Sequence, residues 1–250
     1  LMEEMKKQAL NVGTKFHNDI VTSVNFENKP FLSKTESGKE FLSKSIIIAT
    51  GAQARWLNIT SETDYKGFGI SACATCDGFF FKDQKVIVVG GGNSAVEEAL
   101  FLTKFASKVI VIHRRDKLRA EKILQERLFK NEKIEVIWNS KVIEFIGEKD
   151  PKILKKVILE NTKNGDRMNI DINGAFIAIG HDPATSLFKD KLDMDDENYI
   201  ITKNDSTETS IKGVFAAGDV KDKIYRQAVT AAGMGCMAAL EAEKFISEEG

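Results

Sequence analysis

Cysteine is scarce in this chain, three among 250 residues, which is too few for a disulfide framework. Two of the three are close neighbours, Cys73 and Cys76. The third, Cys236, stands in the run Gly233-Met234-Gly235-Cys236-Met237-Ala238-Ala239 and reads as a buried packing residue, since free cysteine often behaves as a small hydrophobe. Charge of one sign is also missing. A formal net charge of -1 offers no strong field to nucleic acid or to an anionic membrane surface, so neither is expected as a partner. No apolar run approaches the roughly 20 residues that span a bilayer. The opening Leu1-Met2-Glu3-Glu4-Met5-Lys6-Lys7 lacks the apolar core of a secretory signal, which points to the cytoplasm. There is no second C-x-x-C and no suitably spaced histidine pair, so no metal site is expected. No low-complexity linker is visible, and any domain joint must be short. Likewise, 42% hydrophobic and 29% charged residues are ordinary for a globular protein of one or two domains.

What is present is an alternation of short apolar runs and turn signals. A helix is expected within the first thirty residues, then short strands around Ile20 to Phe26 and a turn at Glu27-Asn28-Lys29-Pro30. Three runs end in glycine and predict buried strands: Ser45 to Gly51, Gly174 to Gly180 and Gly213 to Gly218. Lys85-Val86-Ile87-Val88-Val89 predicts another, leading through Gly90-Gly91-Gly92 into a helix from about Asn93 to Lys104 and then a strand over Lys108 to His113. That is a βαβ unit, joined in a parallel sheet by a right-handed crossover. Asp116 is expected to cap a following helix with Ile123, Leu124 and Leu128 on one face. Strands are predicted around Ile134 to Trp138 and Lys155 to Glu160, with a turn at Asn164-Gly165. The pattern is α/β. Trp56 and Trp138 read as packing residues, His17 as a surface or turn histidine, and His181 as part of a loop near a domain joint.

The βαβ unit carries the first chemical signal. Gly90 permits a tight turn, Gly92 lets backbone approach a pyrophosphate, and Ala95 is small enough for the helix to pack on the sheet. The N–H groups at Asn93, Ser94 and Ala95 then face the phosphates from the positive end of the helix dipole. At the tip of the second strand, a site for NADH would carry an acidic residue for the ribose 2′-hydroxyl. Here stand His113-Arg114-Arg115, with Arg119 one turn later. Guanidinium groups grip a 2′-phosphate by paired hydrogen bonds, so the expected cofactor is NADPH.

The second signal is Cys73-Ala74-Thr75-Cys76-Asp77-Gly78. A C-x-x-C pair can open and close a disulfide reversibly, and Asp77 is placed to exchange protons with its sulfurs. Nicotinamide gives up two electrons as hydride, and a flavin is the usual intermediary to a disulfide. Asp219, after Gly218, is a candidate for ribityl hydroxyls. The segment Arg226-Gln227-Ala228 opens a helix rich in small residues that could lie against the cofactor.

Taken in order, Cys73 to Gly78, the Gly90 turn with Glu97-Glu98, His113-Arg114-Arg115 with Arg119, and Gly213 to Asp219 followed by Arg226-Gln227-Ala228 resemble the low-molecular-weight bacterial thioredoxin reductases. The likeness runs through essentially the whole chain. It implies two Rossmann-like nucleotide-binding domains of the three-layer type, with an NADPH domain at 59–182 inserted into an FAD domain at 1–58 and 183–250. It implies that FAD contacts include Thr50, Gly51, Gly218, Asp219, Arg226, Gln227 and Ala228. It further implies that NADPH reduces FAD, FAD reduces the Cys73–Cys76 disulfide, and the dithiol reduces thioredoxin. Cys76 would face the flavin, Cys73 would attack thioredoxin, and Asp77 would carry the proton. A homodimer whose NADPH domain swivels against its FAD domain is implied too. The resembled proteins begin with a βαβ unit carrying its own glycine fingerprint for the ADP part of FAD. Nothing upstream of Thr50 matches it, so this chain is expected to lack that N-terminal segment of roughly 30 residues or more. Two alternatives stay open: a flavoprotein reductase serving another protein disulfide, and a non-catalytic NADP(H)-binding fragment.

Overall fold

The computed structural model describes residues 2–249. The chain divides into two compact units, one outer in sequence, Leu1–Gln53 with Asp182–Gly250, and one inner in sequence, Ala54–His181. It passes between them twice, each time within a three-residue strand, Ala52–Ala54 and His181–Pro183.

The inner unit is built on a parallel five-stranded sheet. Its order is Ile70–Ser71, Gly174–Ala178, Lys85–Gly90, Lys108–Ile112 and Ile134–Ile137. Strand alternation sends successive side chains to opposite faces, so a run of valine and isoleucine must be covered on both. On one face Val86, Val88, Val109, Val111 and Phe176 pack with Ala95, Val96, Ala99 and Leu102 of the helix Asn93–Leu102 and with Leu128 of the helix Lys122–Phe129. On the other, Ile87, Val89, Ile110, Ile112 and Ile177 pack on Val142, Phe145, Leu154, Val157 and Leu159. Those last residues belong to an antiparallel sheet of Ser140–Lys149, Lys152–Asn161 and Arg167–Asp171. Each fully buried aliphatic chain contributes about 1.5–3 kcal/mol, so the two-sided burial of the central strands anchors the unit.

The outer unit pairs Ile46–Ile48 with Val214–Ala216 in a parallel ladder. The helix Ala228–Glu249 packs Ala238, Ala242 and Phe245 with Phe215 and Ala217. An antiparallel sheet, Val21–Asn25, Phe31–Thr35 and Glu40–Ser43, completes it together with the helix Met2–Asn11.

Four expectations need correction. The strand at Ile46–Ile48 is not buried throughout: Ile47 is 41% exposed because it borders a cavity described below. Asp116 does not cap the next helix, which begins only at Lys122 after Glu121 and has no side-chain cap. Its buried residue is Leu128, backed by Leu124, while Ile123 points away and is 52% exposed. Positions 124 and 128 stack on one face, whereas 123 is rotated about 100° from 124 at 3.6 residues per turn. Cys236 is exposed rather than buried, because the helix turns its Ala238 and Ala242 side inward.

Candidate functional site

The dithiol sits where a strand gives way to a single helical turn. Ser71 closes the strand Ile70–Ser71, and its hydroxyl accepts the Cys73 N–H at 3.0 Å. Cys73 is then extended (φ -145°, ψ 97°) and stands at the N-cap of Ala74–Asp77. Its sulfur accepts the Cys76 N–H at 3.2 Å. A thiolate at this position is stabilised by that N–H. Cys73 and Cys76 form a disulfide with their Cα atoms 5.3 Å apart. Cys73 is half-buried and Cys76 exposed. Beside them Phe79 and Phe80 are 66% and 73% exposed, an apolar pair left in water. Asp77 is half-buried and, with Ser71, Phe80, Phe81, Lys152 and Asn173, borders a cavity of about 380 Å³.

The glycine turn lies in the same unit. Its glycines serve different ends. A Cβ at Gly90 would fall 2.3 Å from the Ala178 carbonyl and 2.7 Å from the Ala95 methyl, so close packing demands this glycine. A Cβ at Gly91 would fall 2.3 Å from the His113 ring. At Gly92 a Cβ would meet nothing within 4 Å, which is the open cradle a phosphate requires. The helix Asn93–Leu102 starts there without a side-chain cap, leaving its first N–H groups directed at that space. Ser94 is half-buried and Ala95 buried in this first turn. Sequence reasoning missed the role of Gly91, which becomes visible only once His113 is placed.

Around the turn is a cavity of about 670 Å³ bordered by Gly90, Gly91, Arg114, Arg119, Ser140 and Lys141 among others. Arg114, Arg115 and Arg119 are all exposed. Among the described residues no carboxylate pairs with any of the three, and the neighbouring Asp116 lies 3.8 Å from Lys163 instead. The loop that carries them is braced by backbone: Thr162 Oγ1 donates to the Arg114 carbonyl at 3.2 Å, and Asn139 N–H to that of Arg115 at 3.2 Å. His113 is different from the arginines. It is buried, with both ring nitrogens against backbone carbonyls.

A separate cavity of about 430 Å³ lies in the outer unit, bordered by Ile47, Gly51, Gly218, Asp219, Arg226, Gln227 and Ala228 with four other residues. Gly51 (φ +72°) and Gly218 (φ +76°) hold left-handed backbone at its edge, and a Cβ at Gly51 would meet nothing within 4 Å. These openings suit a flat ligand lying close to backbone. Thr50 does not border the cavity; its hydroxyl donates to the Ala184 carbonyl at 2.8 Å. The Asp219 carboxyl is pushed up by burial and by the neighbouring charge of Asp222, against the pull of Arg226.

Sequence reasoning also missed Asp222. Its buried carboxylate accepts the N–H groups of Ile224 (2.9 Å), Tyr225 (2.9 Å) and Arg226 (3.2 Å), holding the segment that leads to Gln227 and Ala228. Burial alone would raise this carboxyl, but the bonds from Tyr225, Ile224, Arg226 and Thr230 outweigh it and hold it below the usual range. Its sequence signal was slight: an acid three residues after Asp219, ahead of a loop without glycine. Among the described residues no group of three or more histidine, cysteine or acidic side chains could hold a metal ion, and no helix is long and apolar enough to cross a membrane.

Residues 3–235 match the family model for pyridine nucleotide-disulphide oxidoreductases. The chain is 59% identical over 248 residues to a protein of Rickettsia felis called thioredoxin reductase, covering 99% of this chain and 80% of that one. Among solved structures it is similar to a thioredoxin reductase from Giardia duodenalis, with a TM-score of 0.94 and 39% identity over 98% of this chain and 80% of the other. A thioredoxin reductase from Streptococcus pyogenes gives a TM-score of 0.92 and 41% identity, with 98% and 79% covered.

Proposed function

The chain belongs to the pyridine nucleotide-disulphide oxidoreductase family, and we propose that it is an NADPH-dependent reductase of thioredoxin disulfide. One observation carries this reading: a Cys73–Cys76 disulfide at the start of a helical turn, in the same folded unit as an open glycine turn and a loop of three exposed arginines. The net reaction is NADPH, a proton and a protein disulfide going to NADP⁺ and a protein dithiol.

In this reading the unit Ala54–His181 binds NADPH and the other unit binds FAD. Gly92 and the first N–H groups of the helix Asn93–Leu102, at Asn93, Ser94 and Ala95, receive the pyrophosphate. Arg114, Arg115 and Arg119 hold the 2′-phosphate. Gly51 and Gly218 let FAD approach backbone, Asp219 binds ribityl hydroxyls, and Arg226 to Ala228 complete that cavity. Bound FAD supplies the two-electron relay between the hydride donor and the disulfide.

The remaining chemistry belongs to the chain. Reduction opens the Cys73–Cys76 bond, and the Cys76 N–H stabilises a thiolate on Cys73. That thiolate attacks the disulfide of thioredoxin, forming a mixed disulfide and releasing one thioredoxin thiolate. Cys76 then displaces the second, closing the ring again, while Asp77 takes up and returns the proton. Phe79 and Phe80 give a protein partner an apolar landing beside the sulfurs. A homodimer acting in the cytoplasm is part of the same reading; Val229 and Leu240, exposed on the helix Ala228–Glu249, are surface that a second copy would cover.

The purified protein supplied with FAD is expected to oxidise NADPH at a rate set by added oxidised thioredoxin. NADPH consumption that ignores thioredoxin would remove the partner assignment and leave a reductase of another acceptor.

A further inference from the structure

The strand Lys108–Ile112 is followed by a histidine that does not share the environment of the arginines after it. His113 is 6% exposed. Its Nδ1 lies 2.8 Å from the Gly90 carbonyl oxygen, and its Nε2 lies 2.9 Å from that of Lys117. Trp138 meets the ring edge-on at 6.1 Å between centroids. Both ring nitrogens therefore face acceptors, and an imidazole donates to one of them when neutral and to both as the cation. In either form the ring is a spacer of fixed width.

It does not act alone in holding these two segments. The Gly91 carbonyl accepts the N–H groups of Arg119 (2.7 Å) and Ala120 (3.2 Å). Asn93 Oδ1 accepts the Glu121 N–H at 2.9 Å, and Asn93 Nδ2 donates to the Glu121 carboxylate at 3.2 Å. Every one of these bonds joins the glycine turn to the loop that carries the arginines. The His113 bridge is the one that reaches the first half of the loop, between Arg114 and Lys117.

We propose that His113 is a positioning residue: its ring fixes the distance between the pyrophosphate seat at the glycine turn and Arg114, the part of the 2′-phosphate seat that the Gly91 bonds to Arg119 and Ala120 do not tie. This rests on reading the cavity as the NADPH site. The side chain touches neither phosphate; it selects a ligand that carries both by matching their spacing. Two linked contacts reinforce each other only when their separation fits the ligand. Without the ring, the ties at Arg119, Ala120 and Glu121 still hold the far half of the loop, and Thr162 and Asn139 still brace the Arg114 and Arg115 carbonyls, so the fold survives while the first half of the loop loses its tie to the glycine turn through Lys117.

The test compares three probes by calorimetry: 2′-phospho-ADP-ribose, which has both phosphate groups, and ADP-ribose and 2′-AMP, which have one each. In His113→Ala the first is expected to weaken roughly ten-fold and the other two by less than about two-fold, because a displacement of a fraction of an ångström penalises only the ligand that spans both seats. His113→Gln, whose amide can still donate to one carbonyl, should fall between, and it replaces the alanine variant should that one fail to fold. Equal weakening of all three probes, or no weakening of any, overturns the proposal. If the unsubstituted protein binds 2′-phospho-ADP-ribose no better than ADP-ribose, it is the NADPH reading that fails instead.

Discussion

Cys73→Ser is expected to lower kcat/KM for thioredoxin by roughly 10³-fold or more, since removing one member of a group that acts as a unit abolishes most of what the unit does. The loss should not be one of folding. Serine is among the best N-cap residues, so it keeps the bond that the Cys73 sulfur accepts from the Cys76 N–H. Thermal stability should therefore stay within about 0.5 kcal/mol of the parent measured with its Cys73–Cys76 disulfide reduced. Cys76→Ser should be equally inactive in turnover but different in kind. Its lone Cys73 thiol can still attack thioredoxin and has no neighbour to release it, so a 1:1 mixed disulfide should accumulate on a non-reducing gel. Cys73→Ser should give no such adduct. Retained turnover in either variant would remove the dithiol from the reaction. Adducts with the two variants reversed would exchange the roles given to the sulfurs.

The second large effect concerns the donor. Arg114→Ala combined with Arg115→Ala should reduce kcat/KM for NADPH about 10²-fold, the sum of two charge-assisted contacts at about 1.5 kcal/mol each. With NADH the change should be less than about two-fold, because the missing 2′-phosphate leaves nothing to lose. Taken singly, Arg114→Ala should be the more severe, since Arg114 borders the cavity. The deficit should shrink as salt rises, because these side chains are exposed and their attraction is screened. Equal losses with both nucleotides would mean that the arginines support the loop and do not read the phosphate.

Much of the inner unit could be read from the chain because its strands are fully buried. Val86-Ile87-Val88-Val89 and Val109-Ile110-Val111-Ile112 are continuous β-branched runs, which only a sheet covered on both faces explains. The glycine turn between a strand and a helix was equally plain. The strand Ser140–Lys149 was not. Its order of serine, lysine, valine, isoleucine, glutamate and phenylalanine alternates imperfectly, and its pairing with Lys152–Asn161 shifts register twice. Asp116 misled because N-cap preference is local, while the course of this loop is tied to the glycine turn by bonds from Arg119 and Ala120 to Gly91. Cys236 misled for a related reason: a small-residue run marks a helix that packs closely, yet not which side packs. Of the site, the cysteines and arginines announced their chemistry by type and spacing. Gly91, Asp222 and the inward turn of His113 depend on contacts distant in sequence, and no local pattern holds them.

The central claim is that reducing equivalents from NADPH come to rest on Cys73 and Cys76. It is tested most directly by incubating the protein with FAD and NADPH without oxygen, adding a thiol alkylating agent, and weighing the peptide that contains both residues. The account predicts alkyl groups on both Cys73 and Cys76 with NADPH and none on either without it. A peptide that keeps its disulfide after oxidation of more NADPH than the added FAD can take up would contradict the account.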